Sequence, residues 1–394
     1  MAGNIIDNKN GSYRLRVSNG FDTNGKRKYY SKTVQCSSKS AAEKELAKFI
    51  ASIEGGCIYS ASKKTLNDFS KQWLETYGKN NLSPTTYQGY QEKIRMHILP
   101  YLGSKRIDKI KPLDIDNLYN LLLEKLTNRK DEFGNFKTLS PTTVHRIHEI
   151  LSKMFNDATR WDLIPYNPCT KVVQPKYRKV KMCCYDEETS KRLINCLLDK
   201  APTKYKCFAI LGILTGFRRG EIVGLHWDDI DFKNKTITVK RSAYYLSGNG
   251  TKEKSPKSET SNRTIAVPSI CFDLLKQWRA EQAQMRLALG SKWLGAKNVF
   301  TTDNGKIINP STGPKWFSSF LEKNNFPHIR FHDLRHTFAT LLVGNNVDIK
   351  TVSSTLGHAQ ASTTMNYYVH SLESASKASA ELLENILVKD INIV

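Results

Sequence analysis

The segment FHDLRHTFATLLV, residues 331–343, carries His332, Arg335 and His336 within its first turn and a half. His332 and Arg335 stand three apart and so share a helix face, whereas His336 points away from it. Leu334, Phe338 and Leu341 form an apolar stripe, and the spacing predicts an amphipathic helix. A second stretch, LTGFRRGEIVGLHWDDIDF, breaks an apolar run at Gly216 and places Arg218 and Arg219 near a new helix start. Two guanidinium groups there could bind a phosphate bidentately. The third feature is the basic loop SGNGTKEKSPKSETSN, which contains Lys257. The fourth is TLGHAQASTTMNYYVH, with His358, Tyr367, Tyr368 and His370.

Taken singly, a helix-start arginine is an ordinary surface charge and a tyrosine pair is ordinary core or interface material. As a set they have one coherent chemistry. A tyrosine can attack a phosphorus centre, arginines can neutralise the pentavalent transition state, and lysine or histidine can move protons. No cluster of carboxylates has metal-ligand spacing, which argues against two-metal hydrolysis. The expectation is therefore phosphoryl transfer without a two-metal centre.

The charge balance points the same way. Sixty Lys and Arg face 37 Asp and Glu, a formal net charge of +23 over 394 residues. Such a surplus repels itself unless it meets a polyanion, and each neutralised phosphate releases counterions. The eight cysteines include the adjacent Cys183 and Cys184 but show no C-x-x-C spacing, as expected of free thiols in a reducing compartment. The opening MAGNIIDNKNGSYRL has no long apolar run, and no stretch is long and apolar enough for a membrane span. The expected location is the cytosol.

These groups need elements to hold them. Residues 1–58 read as a small β-rich module. In SYRLRVSNG, Tyr13, Leu15 and Val17 alternate with Arg14 and Arg16, giving one apolar and one basic face. Asn24-Gly25 predicts a turn before a second strand with Lys26, Arg27, Lys28 and Lys32. A helix follows, with a Ser40/Glu43 capping box at its start and Gly55-Gly56 at its end. Residues 57–65 read as a linker, and helices dominate residues 64–168.

Two of those helices open alike, SPTTYQGYQEKIRMHIL and SPTTVHRIHEILSKMF, with Ser83 and Ser140 as N-caps before Pro84 and Pro141. Tyr87, Tyr90, Ile94 and Ile98 form one apolar stripe; Val144, Ile147, Leu151 and Phe155 form the other. Residues 164–181, rich in proline and ending in basic residues, predict a second linker. Residues 180–394 mix helices with the β-like runs TITVKRSAYYL and RTIAV. Gly248, Gly250 and Pro256 are expected to hold the loop between these runs out of regular structure. Leu382, Leu383, Ile386 and Leu387 recur at helical spacing in the tail.

With these motifs on the page, the chain resembles the tyrosine recombinase family, especially the three-domain integrases of phages and conjugative transposons. LTGFRRGE is similar to the family's first arginine box, which makes Arg218 the first clamp arginine and Glu221 the acidic residue behind it. SPKSETSNRTIAV resembles the P-K-T-x-x-S-x-R stretch, with Ser258 in place of Thr, and assigns Lys257 as the hairpin lysine. FHDLRHTFAT matches the H-x-x-R box through His332 and Arg335, and LGHAQASTTMNYYVH matches the L-G-H box through His358. The family's nucleophile lies nine or ten residues after that histidine, where Tyr367 and Tyr368 stand. The Y-x-H ending with His370, and Thr364, favour Tyr368.

The resemblance implies a mixed α+β, multidomain fold. Its parts would be a sheet-plus-helix arm-binding domain (residues 1–58), an all-α core-binding domain (64–168) and a mostly α catalytic domain with a small β-sheet (180–394). It implies site-specific integration and excision of a mobile element through a 3′-phosphotyrosyl intermediate. Arg14, Arg16, Lys26, Arg27 and Lys28 would contact arm-site DNA. The implied partners are double-stranded core and arm sites, three further copies of the chain in a tetramer on DNA, and a DNA-bending or excision accessory protein. Two other readings share parts of this set: a type IB topoisomerase-like relaxing enzyme, and a DNA-binding protein that has lost catalysis.

Overall fold

A computed structural model describes residues 3–8, 11–21, 27–54, 63–130, 133–177, 183–254, 262–295 and 297–357. The chain divides into two compact units, Met1–Lys179 and Val180–Val394. The first begins with an antiparallel sheet in the order β1 (Gly3–Asp7), β2 (Ser12–Phe21), β3 (Arg27–Gln35), followed by helix α1 (Lys39–Glu54). Leu15 and Val17 are fully buried and pack with Phe49 of α1, as the period-two pattern requires. The helix cap differs from expectation. Ser38, not Ser40, accepts the Ala41 N–H at 3.2 Å, because the helix already begins at Lys39 and Ser40 lies inside its first turn. Asn24-Gly25, Gly55-Gly56 and most of the first linker lie outside the described residues.

The helical part runs through α2 (Leu66–Trp73), a π turn and α3 (Lys79–Asn81). Next come α4 (Pro84–Lys93), a second π turn and α5 (Leu99–Leu102), then α6 (Pro112–Glu124) and α7 (Pro141–Arg160). Ser83 and Ser140 cap α4 and α7 by accepting the Thr86 and Thr143 N–H groups. Ile94, Ile98, Val144, Ile147, Leu151 and Phe155 are all buried, with Tyr87 and Tyr90 packed at the edge. Trp73 donates its Nε1–H to Asp157 at 2.8 Å, pinning α2 to α7.

Two features here depart from the sequence reading. A hairpin, β4 (Leu126–Lys130) with β5 (Phe136–Thr138), interrupts the helices, with Gly134 at positive φ in its turn. The start of the predicted second linker is also part of the core: Ile164, Cys169 and Val172 are buried, and Asn167 donates to the Ser152 carbonyl at 3.0 Å. Its prolines end the helix without ending the packing.

The second unit holds α8 (Glu187–Lys200), α9 (Thr203–Thr215) and α10 (Arg219–Val223). Then come β6 (Ile230–Asp231), β7 (Thr236–Val239), β8 (Ser242–Leu246), β9 (Gly250–Lys254) and β10 (Arg263–Ala266). Among the described residues α11 (Ser269–Leu289), α12 (Thr312–Lys323), α13 (Asp333–Gly344) and α14 (Ile349–Leu356) follow. One sheet has the order β10-β7-β6, and β8 pairs with β9 as a separate hairpin. The run TITVKRSAYYL is thus split at Lys240-Arg241 between the two. The loop expected to be irregular contributes β9, with Tyr245 opposite Thr251 and Leu246 opposite Gly250. Gly248 and Gly250, both at positive φ, form the tight turn that makes this pairing possible. Pro256, Lys257 and the tail with Leu382, Leu383, Ile386 and Leu387 lie outside the described residues. Among the described residues no helix is long and apolar enough to cross a membrane.

Candidate active site

Helix α9 is buried on nearly all sides and ends at Gly216, whose φ is +63°. A Cβ there would lie 2.6 Å from Leu356 Cδ2 and 2.8 Å from Phe338 Cδ1, so both backbone and space demand glycine. The chain reverses and α10 begins with Arg218 as its N-cap. Glu221 in its first turn accepts the Arg218 backbone N–H at 3.0 Å and the Arg218 Nη1–H at 2.7 Å. The carboxylate is buried, whereas the Arg218 side chain keeps 40% of its surface exposed and faces solvent.

The H-x-x-R box opens α13. Arg330 grips Asp333 bidentately, Nε to Oδ2 at 3.0 Å and Nη2 to Oδ1 at 2.7 Å, which anchors the helix start. The expected stripe is only partly the buried side. Leu334 lies in the main core, while Phe338 and Leu341 are half-buried. Asp333, Arg335, His336 and Thr337 are buried instead. The apolar period located the helix, but the polar residues take the deeper positions because each finds partners. His336 also differs from expectation. Four residues make slightly more than one turn, so its ring meets His332 edge to face at 5.0 Å between centroids.

Arg335 is the most buried of the clamp candidates, with 3% of its surface exposed. Its Nη1–H donates to the Gly216 carbonyl at 2.8 Å and its Nη2–H to the Leu356 carbonyl at 2.6 Å. These carbonyls close the C-terminal ends of α9 and α14, where the orphan acceptors and negative dipole ends lie. Two helix ends thus compensate a buried cation that would otherwise be very costly. The end of α14 receives two further arginines. Arg263 Nε donates to Thr355 O at 2.8 Å, and Arg218 Nη2 to Gly357 O at 3.4 Å. Gly357, at φ +65°, lies beneath the Arg263 guanidinium, where a Cβ would come within 2.9 Å of Nη1.

Electrostatics follow from this crowding. Burial raises the Glu221 carboxyl, but Arg263 and Arg218 outweigh it and hold the group below its ordinary value. The His332 residue is exposed, yet its ring is desolvated enough against its surroundings to lower its pKa, and the Arg335 and Arg218 charges lower it further. His336 is pushed down to about 4, by burial first and then by His332. Both shifts favour the neutral imidazole and weaken it as a base, His336 the more strongly.

The fold thus brings together Arg218, Glu221, His332 and Arg335, which lie in segments 218–221 and 332–335 of the chain. Lys257, His358, Tyr367 and Tyr368 lie outside the described residues. The hairpin leading to Lys257 is held at its base: His226 Nε2 lies 3.0 Å from Glu253 Oε1, and Asn298 Nδ2 donates to the same oxygen at 2.6 Å. Sequence reasoning missed Arg263. Its signal was present as the last residue of the P-K-T-x-x-S-x-R stretch, but nothing in one sequence said that it would face Glu221. No group of three or more His, Cys, Asp or Glu gathers with metal-binding geometry among the described residues.

Two other surfaces carry basic residues. Arg14 and Arg16 occupy the face of β2 opposite Leu15 and Val17, and Arg16 stacks over the Tyr29 ring at 5.0 Å. Arg27 and Lys28 lie on β3, and Lys26 lies outside the described residues. In the helical part, a groove of about 440 Å³ runs between α4 and α7, lined by Thr85, Lys93, Thr142, His145, Arg146 and Tyr177 among others.

Residues 185–374 match the phage integrase family, and residues 65–123 match the phage integrase N-terminal SAM-like domain. A tyrosine recombinase XerC-like protein of Caldanaerobacter subterraneus subsp. tengcongensis is 30% identical over 406 residues, spanning 98% of this chain and 99% of its own. This chain belongs to the phage integrase family of tyrosine recombinases. The ICEBs1 integrase of Bacillus subtilis is a further relative, 27% identical over 381 residues and covered at 96% and 98%. The Tn1549 transposon integrase, solved with a circular intermediate DNA, shares the fold at a TM-score of 0.64 and 21% identity, over 82% of this chain and 100% of that one. The recombinase is thus an enzyme of site-specific DNA recombination that breaks and rejoins DNA. Membership favours recombination over the topoisomerase-like and catalytically silent readings.

Proposed function

We propose that Tyr368 attacks the scissile phosphate, forming a bond from its Oη to phosphorus as the bond to the 5′-oxygen breaks. The product is a 3′-phosphotyrosyl link and a free 5′-hydroxyl. Lys257 supplies the proton to the leaving oxygen, and the tyrosine's proton passes to His332 or His358. Arg218 and Arg335 bind the non-bridging oxygens, and Glu221 orients Arg218. The 5′-hydroxyl of the partner strand then reverses the step. The phosphotyrosyl bond conserves the energy of the broken one, so no nucleotide cofactor and no metal enters.

The observation that carries this reading is the convergence of Arg218 and Arg335 on the end of α14, the helix leading directly into the L-G-H and tyrosine segment. Preorganised donors at fixed helix ends stabilise developing charge without reorganising during the reaction. We assign residues 1–58 to arm sites through Arg14, Arg16, Lys26, Arg27 and Lys28. Residues 64–168 take the core site through the groove between α4 and α7, and residues 180–394 carry the chemistry. The assembly is a tetramer on paired sites, helped by a DNA-bending or excision protein, in the bacterial cytoplasm at the nucleoid.

A nicked suicide substrate tests the assignment. Tyr368→Phe removes the covalent adduct, and Tyr367→Phe retains it. An adduct from Tyr368→Phe, or its absence from Tyr367→Phe with the protein folded, reverses the choice of nucleophile.

A further inference from the structure

Arg263 is the first residue of β10. Its side chain is 8% exposed, and the Glu221 carboxylate it meets is 7% exposed. Nη2 lies 2.8 Å from Glu221 Oε2 and Nη1 3.5 Å from Oε1. The Oε1 atom is the one that also takes the Arg218 Nη1–H. Nε reaches Thr355 O, and the guanidinium lies 5.3 Å from the Phe217 ring centroid. One residue therefore ties the base of the Lys257 loop, the first turn of α10 and the end of α14 together.

The charge balance gives this junction its meaning. Glu221 between Arg218 and Arg263 leaves one net positive charge. Without Arg263 it leaves none, and a buried carboxylate with a single cation would draw both Arg218 donors onto itself. A guanidinium held in that way has its charge cancelled by the carboxylate and offers a phosphate no net attraction. We infer that Arg263 is a positioning residue for the phosphate clamp: it neutralises Glu221 so that Arg218 stays available, and it fixes the end of α14. The inference rests on the reading of Arg218 as a clamp residue.

The test is single-turnover adduct formation on a nicked suicide substrate at saturating protein, with site affinity from gel shift and folding from thermal melting. Arg263→Gln lowers the rate constant by about 10²-fold, the scale of losing one transition-state donor, while affinity stays within about threefold. Adding Glu221→Gln to Arg263→Gln removes both charges, restores the net positive charge at Arg218, and recovers about tenfold or more of the loss. A loss of packing alone would not be recovered by a second polar substitution.

An Arg263→Gln rate within twofold of wild type, or a double variant no faster than the single one, overturns the proposal. Should Arg263→Gln fail to fold, Arg263→Lys replaces it. A rate within about tenfold of wild type supports the charge role, and a rate as low as that of Arg218→Ala overturns it. Arg218→Ala separates the two readings. If it cleaves normally, the clamp assignment itself falls; if it is inactive while Arg263→Gln is normal, only the role of Arg263 falls.

Discussion

Helices α7 and α13 look alike in sequence, each an apolar stripe with basic and histidine residues between. They bury different things. In α7 the buried set is Val144, Ile147, Ile150, Leu151, Met154, Phe155 and Ala158, with two polar exceptions. His148 meets the Tyr119 hydroxyl at 2.8 Å, and Asp157 accepts from Trp73 and pairs with Lys153 and Arg160. In α13 the buried set is Asp333, Leu334, Arg335, His336, Thr337 and Ala339. Its polar groups are held by Arg330, by the ends of α9 and α14, and by the Tyr185 N–H on Thr337 Oγ1 at 3.2 Å. The scaffold helix is stabilised by apolar area. The site helix spends its inward face on groups whose burial is tolerable only when every donor and acceptor is matched. A buried charge tolerated in this way is held in fixed geometry, as phosphate chemistry requires.

Truncation in each helix would separate the two roles most strongly. Phe155→Ala should cost about 3–5 kcal/mol of stability, while folded molecules cleave bound DNA at close to the wild-type rate. Arg335→Ala should slow adduct formation by about 10²–10³-fold per bound complex, with site affinity falling much less. Urea melts and single-turnover cleavage on the same preparations measure both. Equal losses of binding and cleavage for Arg335→Ala would erase the distinction.

The next effect is a pH dependence. The unfolded chain protonates His336 near its ordinary value of 6.5, while the folded chain resists until about 4. Between those values the unfolded state binds more protons, so stability falls as the pH drops through this window and is fully present above it. The contribution is on the order of 2–3 kcal/mol between pH 7 and pH 4.5. His148 in α7 is shifted downward as well, by burial first, so the wild-type slope mixes both units. His336→Asn isolates α13 and should flatten its share of the slope in melts from pH 7 to 4.5. An unchanged slope would mean that the imidazole takes its proton without cost.

The smallest effect concerns α7 alone. Ser140→Ala removes the acceptor for the Thr143 N–H and should cost about 1 kcal/mol of stability, with no change in cleavage by folded protein. A loss of cleavage larger than the loss of stability would give this cap a part in the reaction.

Much of this was legible in the chain itself. Ser83-Pro84 and Ser140-Pro141 marked helix starts because capping is local chemistry, settled within four residues. Period-two alternation identified Leu15 and Val17 as the buried face of β2 for the same reason. The Arg218, His332 and Arg335 positions came from motif spacing. Errors arose where local rules compete. Ser38 and Ser40 are both good caps, and only the actual helix start chooses between them. Gly248 and Gly250 suit an irregular loop and a tight turn equally, and pairing of β8 with β9 selects the turn.

Residue types and spacing therefore determined which groups could do the chemistry, and composition determined that their partner is a polyanion. Tertiary structure alone decided that Arg335 is buried against two helix ends, that His336 touches His332, and that Arg263 completes the Glu221 ion pair. The physical reason is distance along the chain. Arg335 meets a carbonyl 119 residues away, and Arg263 meets a carbonyl and a carboxylate 92 and 42 residues away. Such contacts exist only once α9, α10, α13, α14 and β10 have packed, because no local propensity encodes them.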